Sequence, residues 1–296
     1  MNTPLTRQRS LPEPRTTRTS LASRRRLGGK FGNRLLFYGV LTIIALATLL
    51  PFIAMVLLAM TPPGALRLPS LVPTEFTLKF LRAALSASSI VQWSINSLIY
   101  AVTTIVVSLF LASLAGYAFA KKKFAGRDAL FWSFVAMLMV PGQVTIVPLF
   151  ILIAELHGIN TYWGLILPTL ANAQAVFLLR QFIRDIPDDL IEAATIDGAS
   201  EWHIYSRIIL PLTTPVMATL GVFIFLAQWN DFFWPLLIAQ SNEMRTLTVG
   251  LATLQEQHPT TGSIMAAATI NFVPCFVVFA ILQRYLVQGI SMTGLK

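Results

Sequence analysis

Long apolar blocks separated by short polar segments run along most of this chain. A helix rises about 1.5 Å per residue, so about 20 apolar residues cross the roughly 30 Å hydrocarbon core of a bilayer. Each block reaches that length and is predicted to form one membrane-spanning helix. The predicted spans are Leu35–Met60, Ile95–Ala120, Leu130–Ile153, Tyr162–Phe182, Leu210–Ala239 and Ile264–Val287.

The composition supports a membrane protein and narrows its chemistry. Hydrophobic residues make up 55% of the chain and charged residues 12%, against about 25% charged residues in an ordinary soluble domain. The single cysteine, Cys275, cannot form an internal disulfide, and the three histidines are scattered. A metal site therefore has no support. The sequence predicts an all-α membrane protein with six transmembrane helices.

The distribution of Lys and Arg predicts the orientation. With the amino terminus in the cytoplasm, 18 of the 22 basic residues lie on the cytoplasmic side and four lie outside, in agreement with the positive-inside rule. Both termini are therefore predicted to be cytoplasmic. The Lys121–Lys123 run is interpreted as a stop signal at the membrane face, and a dedicated binding patch is the alternative.

The segments outside the spans divide the chain into three parts. Residues 1–34 hold nine basic residues and one acidic residue, lack hydrophobic periodicity and are predicted to be disordered. This segment is either a solvated tail that sets the topology or an arm that binds RNA or lipid. The six-span domain is predicted at residues 35–290 and a short carboxy-terminal tail at 291–296. The proline-rich outer segment after the first span is predicted to contain a short helix at Leu78–Leu85.

The segment between the fourth and fifth blocks is predicted to contain a short capped helix. Pro187 suits the first helical position, where its missing N–H costs nothing. Asp188 and Asp189 then lie in the first turn, where the helix dipole favours negative charge. Gly198 suits the left-handed residue that ends a helix.

A second helix is predicted directly after the first. Ser200 can cap its start, and Trp202, Tyr205 and Ile209 form an apolar stripe. Pro211 marks a predicted boundary with the next span. A thin helix with a small-residue face and an aromatic anchor beside it can lie in the groove of another protein.

The same segment resembles the EAA loop of the permease subunits of binding-protein-dependent ABC importers. In that family the loop is a coupling helix seated in a cleft of the ATPase subunit, so the resemblance implies an ATPase-coupling site here. The residues that carry the resemblance are Glu192, Ala193, Ala194, Asp197, Gly198, Ala199, Trp202 and Pro211.

Further stretches resemble the sugar-permease branch of the family, in particular the smaller maltose-permease-like subunit. The resemblance covers residues 35–296, and residues 258–262 depart from the pattern of the relatives. The matching stretches are Asn96–Leu98, Trp229–Leu236, Thr246–Leu251, Met265–Ala268 and Gln283–Lys296.

The resemblance implies a fold, a location and a set of partners. The fold is that of a type I ABC importer permease in a bacterial cytoplasmic (inner) membrane. The partners are a second, homologous permease subunit in a heterodimer, two ATPase subunits, an extracytoplasmic solute-binding protein, a sugar substrate and the lipid bilayer, with no nucleic acid. The chain itself would be non-catalytic and without a cofactor, and ATP and Mg²⁺ would bind to the partner ATPase. The sequence agrees, because no G-x-x-x-x-G-K-[ST] segment is present to cradle a phosphate.

Polar residues within the spans are expected to face the bundle interior and line the solute pathway, because lipid-facing polar groups are costly. Asp231 either belongs to this pathway or lies hydrated near the outer interface. The candidates for the pathway are Asn96, Gln143, Asn172, Gln174, Asn230, Asp231 and Asn271.

The cargo is expected to be an oligosaccharide or disaccharide. A polyol, glycerol phosphate or another small solute carried by the same machine is the alternative. An ion-driven secondary carrier would need a relay of intramembrane titratable residues, and Asp231 is nearly alone. A membrane scaffold without transport would leave the EAA-like segment unexplained.

Overall fold

A computed structural model shows the chain as helices joined by short connections. It describes residues 24–62, 75–86, 89–257 and 260–293. The predicted disorder of residues 1–23 and the last three residues of the carboxy-terminal tail lie outside the described residues. Every regular element in the described residues is helical, which confirms the all-α prediction.

The described residues form thirteen α-helices, a 3-10 turn at Leu167–Thr169 and a π-helical turn at Tyr205–Ile209. In chain order the helices are α1 (Arg24–Ala59), α2 (Lys79–Leu85), α3 (Ile90–Lys121), α4 (Arg127–Met137), α5 (Gly142–Glu155), α6 (Tyr162–Ile166), α7 (Ala173–Arg184), α8 (Asp188–Ile196), α9 (Glu201–Ile204), α10 (Leu210–Trp229), α11 (Phe233–Ile238), α12 (Leu247–Gln257) and α13 (Thr261–Thr293).

The chain divides into two compact units, Met1–Ile53 and Ala54–Lys296. In the first unit, α1 begins at Arg24, so the helix includes residues 24–34 of the predicted tail. Extending an existing helix is far easier than nucleating one, and Arg and Leu at these positions are good helix formers. The disorder of that tail stays a prediction.

In the part of the chain that the structure describes, four helical segments are long and apolar enough to cross a membrane, and two bent pairs bring the possible number to six. The predicted third and fourth spans are therefore not straight helices. α4 and α5 meet at 100°, and the turn through α6 to α7 bends by 44°. Pro141 precedes α5 in an extended conformation and so separates α5 from α4.

The predicted fifth span, Leu210–Ala239, has different bounds in the structure. The helical segment runs from Glu201 to Trp229, so Pro211 is not a boundary. The π-helical turn just before Pro211 widens the helix, one way to accommodate a proline without a break. Asn230 ends α10, and α11 follows as a separate helix.

Helix α3 lies at the centre of the second unit, where it packs against α4, α6, α7, α10 and α12. It approaches α7 closely at Gly116, where an added Cβ would lie 3.0 Å from the backbone nitrogen of Arg180. Small residues allow such backbone approach between membrane helices. The hydrophobic cluster around this crossing includes Leu179, Ile183 and Tyr205.

Candidate functional site

The predicted capped helix is present as α8. It begins at Asp188, one position later than predicted, with Pro187 as the preceding cap residue. Asp188 and Asp189 lie in its first turn, as predicted from the helix dipole.

The carboxyl end of α8 is a Schellman motif. The Ala199 N–H donates to the Ala194 carbonyl at 2.9 Å, and the Gly198 N–H donates to the Thr195 carbonyl at 3.0 Å. Gly198 has φ of +78°, the left-handed conformation that this motif requires. The prediction for Gly198 is therefore confirmed at the level of local structure.

Helix α8 lies on the surface of the second unit with no buried residue. Ile191 and Ala194 pack against the hydrophobic cluster between α3 and α7. Leu190 is 46% exposed and Ile196 is 86% exposed. Helix α8 therefore leaves two apolar side chains exposed.

The following helix, α9, is capped as predicted, because Ser200 Oγ accepts from the His203 N–H at 3.3 Å. Tyr205 and Ile209 are buried, whereas Trp202 is 60% exposed. The predicted apolar stripe is thus correct for two of its three residues. The Trp202 ring packs on Tyr205 at 5.3 Å between centroids and is a third exposed apolar side chain in this segment, after Leu190 and Ile196.

Lys121, the last residue of α3, holds the chain where it enters α8. Its Nζ donates to the Ile186 carbonyl at 2.5 Å and to Asp188 Oδ1 at 2.6 Å. The Lys121 side chain is 6% exposed, so these acceptors replace the water that its ammonium has lost. A buried charge needs such partners to be tolerated.

Lys122 holds the chain where it leaves α8. Its Nζ lies 2.6 Å from Glu201 Oε1, and the Tyr117 hydroxyl donates to Glu201 Oε2 at 3.0 Å. Burial alone would lower the pKa of Lys122, but its hydrogen bonds to Glu201 and Tyr117 outweigh burial and raise it. Lys122 is therefore a cation, and adjacent residues of one helix end bond both flanks of α8.

Among the predicted pathway residues, Asn96 lies in the packed interior. It is fully buried, and its Nδ2 donates to the carbonyls of Glu243 and Arg245 at 2.7 and 2.8 Å. Its Oδ1 accepts from the Tyr162 hydroxyl and from Gln92. The Asn96 amide joins helices and leaves no accessible group for a solute in this conformation.

Asp231 lies just beyond the span that ends at Trp229. Its Oδ2 accepts from the Tyr100 hydroxyl at 2.9 Å. Burial raises the pKa of the Asp231 carboxyl above its ordinary value, although hydrogen bonds from Tyr100 and from backbone N–H groups oppose this shift. Asp231 thus has defined partners within the chain.

The other five predicted pathway residues are not brought together in one cluster by any described contact. Asn172 caps α7, where its Oδ1 accepts from the Ala175 N–H. Asn230 and Asn271 bond to neighbouring groups of α10 and α12, and Gln143 and Gln174 are exposed. Their role in a solute pathway stays a prediction.

Three polar groups of α3, Tyr100, Thr104 and Ser108, were not predicted. Together with Asn96 they recur every four residues and are fully buried, with partners on neighbouring segments of the chain. This spacing places them on one helix face, so a count of polar residues at i, i+4 could have found the stripe. The Lys121–Lys123 run, interpreted as a stop signal, provides the two cations that bond the flanks of α8.

Known proteins resemble this chain in sequence and in fold. It is 36% identical over 226 residues to the arabinooligosaccharides transport system permease protein AraQ of Halalkalibacterium halodurans, covering 76% of this chain and 81% of AraQ. It is also 36% identical over 199 residues to the sn-glycerol-3-phosphate transport system permease protein UgpE of Yersinia pestis, covering 66% of this chain and 71% of UgpE.

A crystal structure of a bacterial ABC transporter involved in the import of the acidic polysaccharide alginate contains a chain of the same fold. The TM-score is 0.74 at 21% identity, and the match covers 91% of this chain and 99% of that chain. This similarity confirms the predicted type I ABC importer permease fold. Residues 108–292 match the family model of the binding-protein-dependent transport system inner membrane component. The chain belongs to this family of permease subunits.

Proposed function

We propose that α8 is the coupling helix of this permease and that it lies in a cleft of a separate ATPase subunit. The observation that carries this proposal is a surface helix with no buried residue that ends in a Schellman motif. Its inner side rests on Ile191 and Ala194, while Glu192 and Ala193 are exposed. A short rigid helix with a small-residue surface fits a groove in a partner.

The energy source is ATP bound with Mg²⁺ by that partner. The chain is a non-catalytic subunit, and its sequence has no phosphate-cradling loop of the Walker type. Two ATPase subunits and a second, homologous permease complete the membrane assembly. The orientation follows from the positive-inside rule and places α8 and both termini in the cytoplasm.

The proposed cargo is a carbohydrate of two or more sugar units, delivered by an extracytoplasmic solute-binding protein. The similarity to AraQ supports a sugar as the cargo. Because the chain is also similar to UgpE, the test below includes a phosphate-bearing cargo. A phosphate would need a cation along the pathway. Lys and Arg are absent from the middle of the apolar segments in the sequence, which favours the neutral sugar.

In this mechanism, binding of ATP closes the ATPase pair, and each coupling helix moves with the ATPase domain that holds it. The permease pair then turns from an inward-facing to an outward-facing state. Such a change needs differential contact with the two states, which a helix seated in a moving cleft provides.

The test is purification of the tagged full-length chain with its associated subunits, followed by a solute screen. The panel contains disaccharides, oligosaccharides, polyols and sn-glycerol 3-phosphate, each with the binding protein. We expect ATP hydrolysis to rise with an oligosaccharide or disaccharide. Stimulation by sn-glycerol 3-phosphate alone would overturn the sugar assignment, and uptake by this chain without an ATPase would overturn the whole proposal.

A further inference from the structure

Helix α3 is a long helix without proline. It has 32 residues, which correspond to about 48 Å at about 1.5 Å per residue. The other three described helices of 20 residues or more each contain an interior proline, Pro51 in α1, Pro215 in α10 and Pro274 in α13. Proline removes a backbone hydrogen bond and bends a helix, so α3 is the stiffer element.

The carboxyl end of α3 bonds both flanks of α8. Lys121 bonds to Ile186 and Asp188 before and at the start of α8, and Lys122 bonds to Glu201 just after the Gly198 turn. The two lysines are adjacent in sequence, so α8 is bracketed by one helix end. A displacement of α8 cannot be absorbed at its flanks without breaking one of these bonds.

The amino-terminal part of α3 bonds a second segment, residues 242–247, more than 20 residues away along the helix. The Trp93 indole N–H donates to the Asn242 carbonyl at 2.9 Å. Asn96 donates to the carbonyls of Glu243 and Arg245, and Ser97 Oγ accepts from the Leu247 N–H at 2.8 Å. These bonds join α3 to backbone groups of the 242–247 segment. They therefore hold the segment independently of its side chains.

We propose that α3 transmits motion between α8 and the 242–247 segment, with Lys121 and Lys122 as the positioning residues that tie the helix to α8. This inference rests on the proposed coupling role of α8, because that role supplies the motion. Coupling between distant sites requires packed, bonded elements that move together. Here a stiff helix is bonded at both ends.

The experiment compares two cysteine reporters in the full-length chain, purified with its subunits in lipid nanodiscs after Cys275→Ser. Ala193→Cys reports contact of α8 with the ATPase, and Glu243→Cys reports the far segment; both side chains are exposed. Each reporter is labelled with a polar maleimide, with and without a non-hydrolysable ATP analogue and Mg²⁺. The test variants are Lys121→Gln and Lys122→Gln.

The matched control is Lys123→Gln, which removes the same charge from the next residue. Lys123 is exposed and makes no described bond. We expect the nucleotide to change the labelling rate at residue 243 in the parent and in the control. In the two test variants this nucleotide effect should fall by about 2- to 30-fold, the range by which residues along coupled networks change coupling.

A charge exchange, Lys122→Glu with Glu201→Lys, should restore the nucleotide effect at residue 243, because the bond between these two side chains, and not Lys122 alone, ties α3 to α8. The inference is overturned if Lys121→Gln and Lys122→Gln respond as Lys123→Gln does, or if the exchanged pair assembles without restoring the response. Labelling at residue 193 separates the two proposals. If no variant shows protection of residue 193 by the ATPase, the coupling role of α8 itself is wrong.

Discussion

Tyr100 of α3 and Asp231, in the turn between α10 and α11, are joined by a hydrogen bond of 2.9 Å between the phenol hydroxyl and Oδ2. Tyr100 is fully buried. The backbone N–H groups of Phe232 and Trp234 also bond the carboxylate. Asp231 therefore receives donors from α3 and from the start of α11, and this arrangement fixes where α11 begins relative to α3.

Replacement of Tyr100 by Phe should destabilise the assembled permease by about 1–2 kcal/mol, because it removes a donor from a buried carboxylate and adds no volume. The measurement is thermal unfolding of the purified assembly in detergent. Tyr38→Phe is the matched control, since the Tyr38 side chain is 64% exposed; its unfolding temperature should stay at the parent value. Equal stability of the two variants would contradict a structural role for the Tyr100–Asp231 bond.

Gly116→Ala should destabilise the second unit by about 1–3 kcal/mol through overpacking. The added Cβ would lie 3.0 Å from the backbone nitrogen of Arg180 and 3.1 Å from Leu179 Cβ, and backbone atoms cannot rotate away. Gly221→Ala is the control, because its Cβ would meet side-chain atoms of α3 at 3.6 Å, an ordinary contact distance.

In Gly221→Ala the gain in helix propensity should dominate, so its stability should match or exceed that of the parent by about 0.5–1 kcal/mol. Thermal unfolding of both variants measures the difference. A Gly116→Ala variant as stable as Gly221→Ala would show that α3 and α7 can separate at this crossing without cost.

The capped helix α8 could be predicted from sequence because its signals are local. Asp188, Asp189 and Gly198 act on the backbone within a few residues of themselves, and a helix end needs little else. The family was predicted for the same reason, since the EAA-like residues stand at fixed spacing in one segment. The bends in the spans could not be predicted in this way. An apolar block does not indicate where its helix changes direction, and a proline can either break a helix or be accommodated by a π-helical turn.

The hydrogen-bond partners of individual polar residues could not be predicted from the sequence. Asn96 was predicted to line a pathway, yet it bonds backbone carbonyls almost 150 residues away along the chain. Hydropathy cannot distinguish a polar residue that faces a cavity from one that joins two helices, because both avoid lipid. The roles of Lys121 and Lys122 depended on the same long-range information.

Glu192→Lys should leave the fold intact and reduce the solute transported per ATP hydrolysed by at least about 5-fold. This factor is the lower end of the range by which one coupled site typically affects another. Glu192 is exposed on α8 and makes no described bond within the chain, so the free energy of unfolding should change by less than about 0.5 kcal/mol. Glu155→Lys makes the same charge change at an exposed site of α5 and should transport normally. Normal transport by both variants would contradict the coupling role of α8.

Substitutions at Gly198 separate the backbone requirement from the size of the side chain. Gly198 has φ of +78°, and an added Cβ would meet no atom within 4 Å. Asn adopts this left-handed conformation readily, whereas a β-branched residue such as Val is strained there by roughly 1–2 kcal/mol. We therefore expect Gly198→Asn to retain the Schellman turn and most of the coupling.

Gly198→Val should unwind the end of α8 and allow ATP hydrolysis to continue while transport falls at least about 5-fold. Proteolysis of the loop in the purified assembly reports the turn, and transport per ATP reports coupling. Both variants could lose transport while the loop of Gly198→Asn stays resistant to proteolysis. In that case the ATPase contact requires a position without a side chain, and the conformation of the turn alone is not sufficient. If both variants transport normally, the conformation of the Gly198 turn is not needed for coupling.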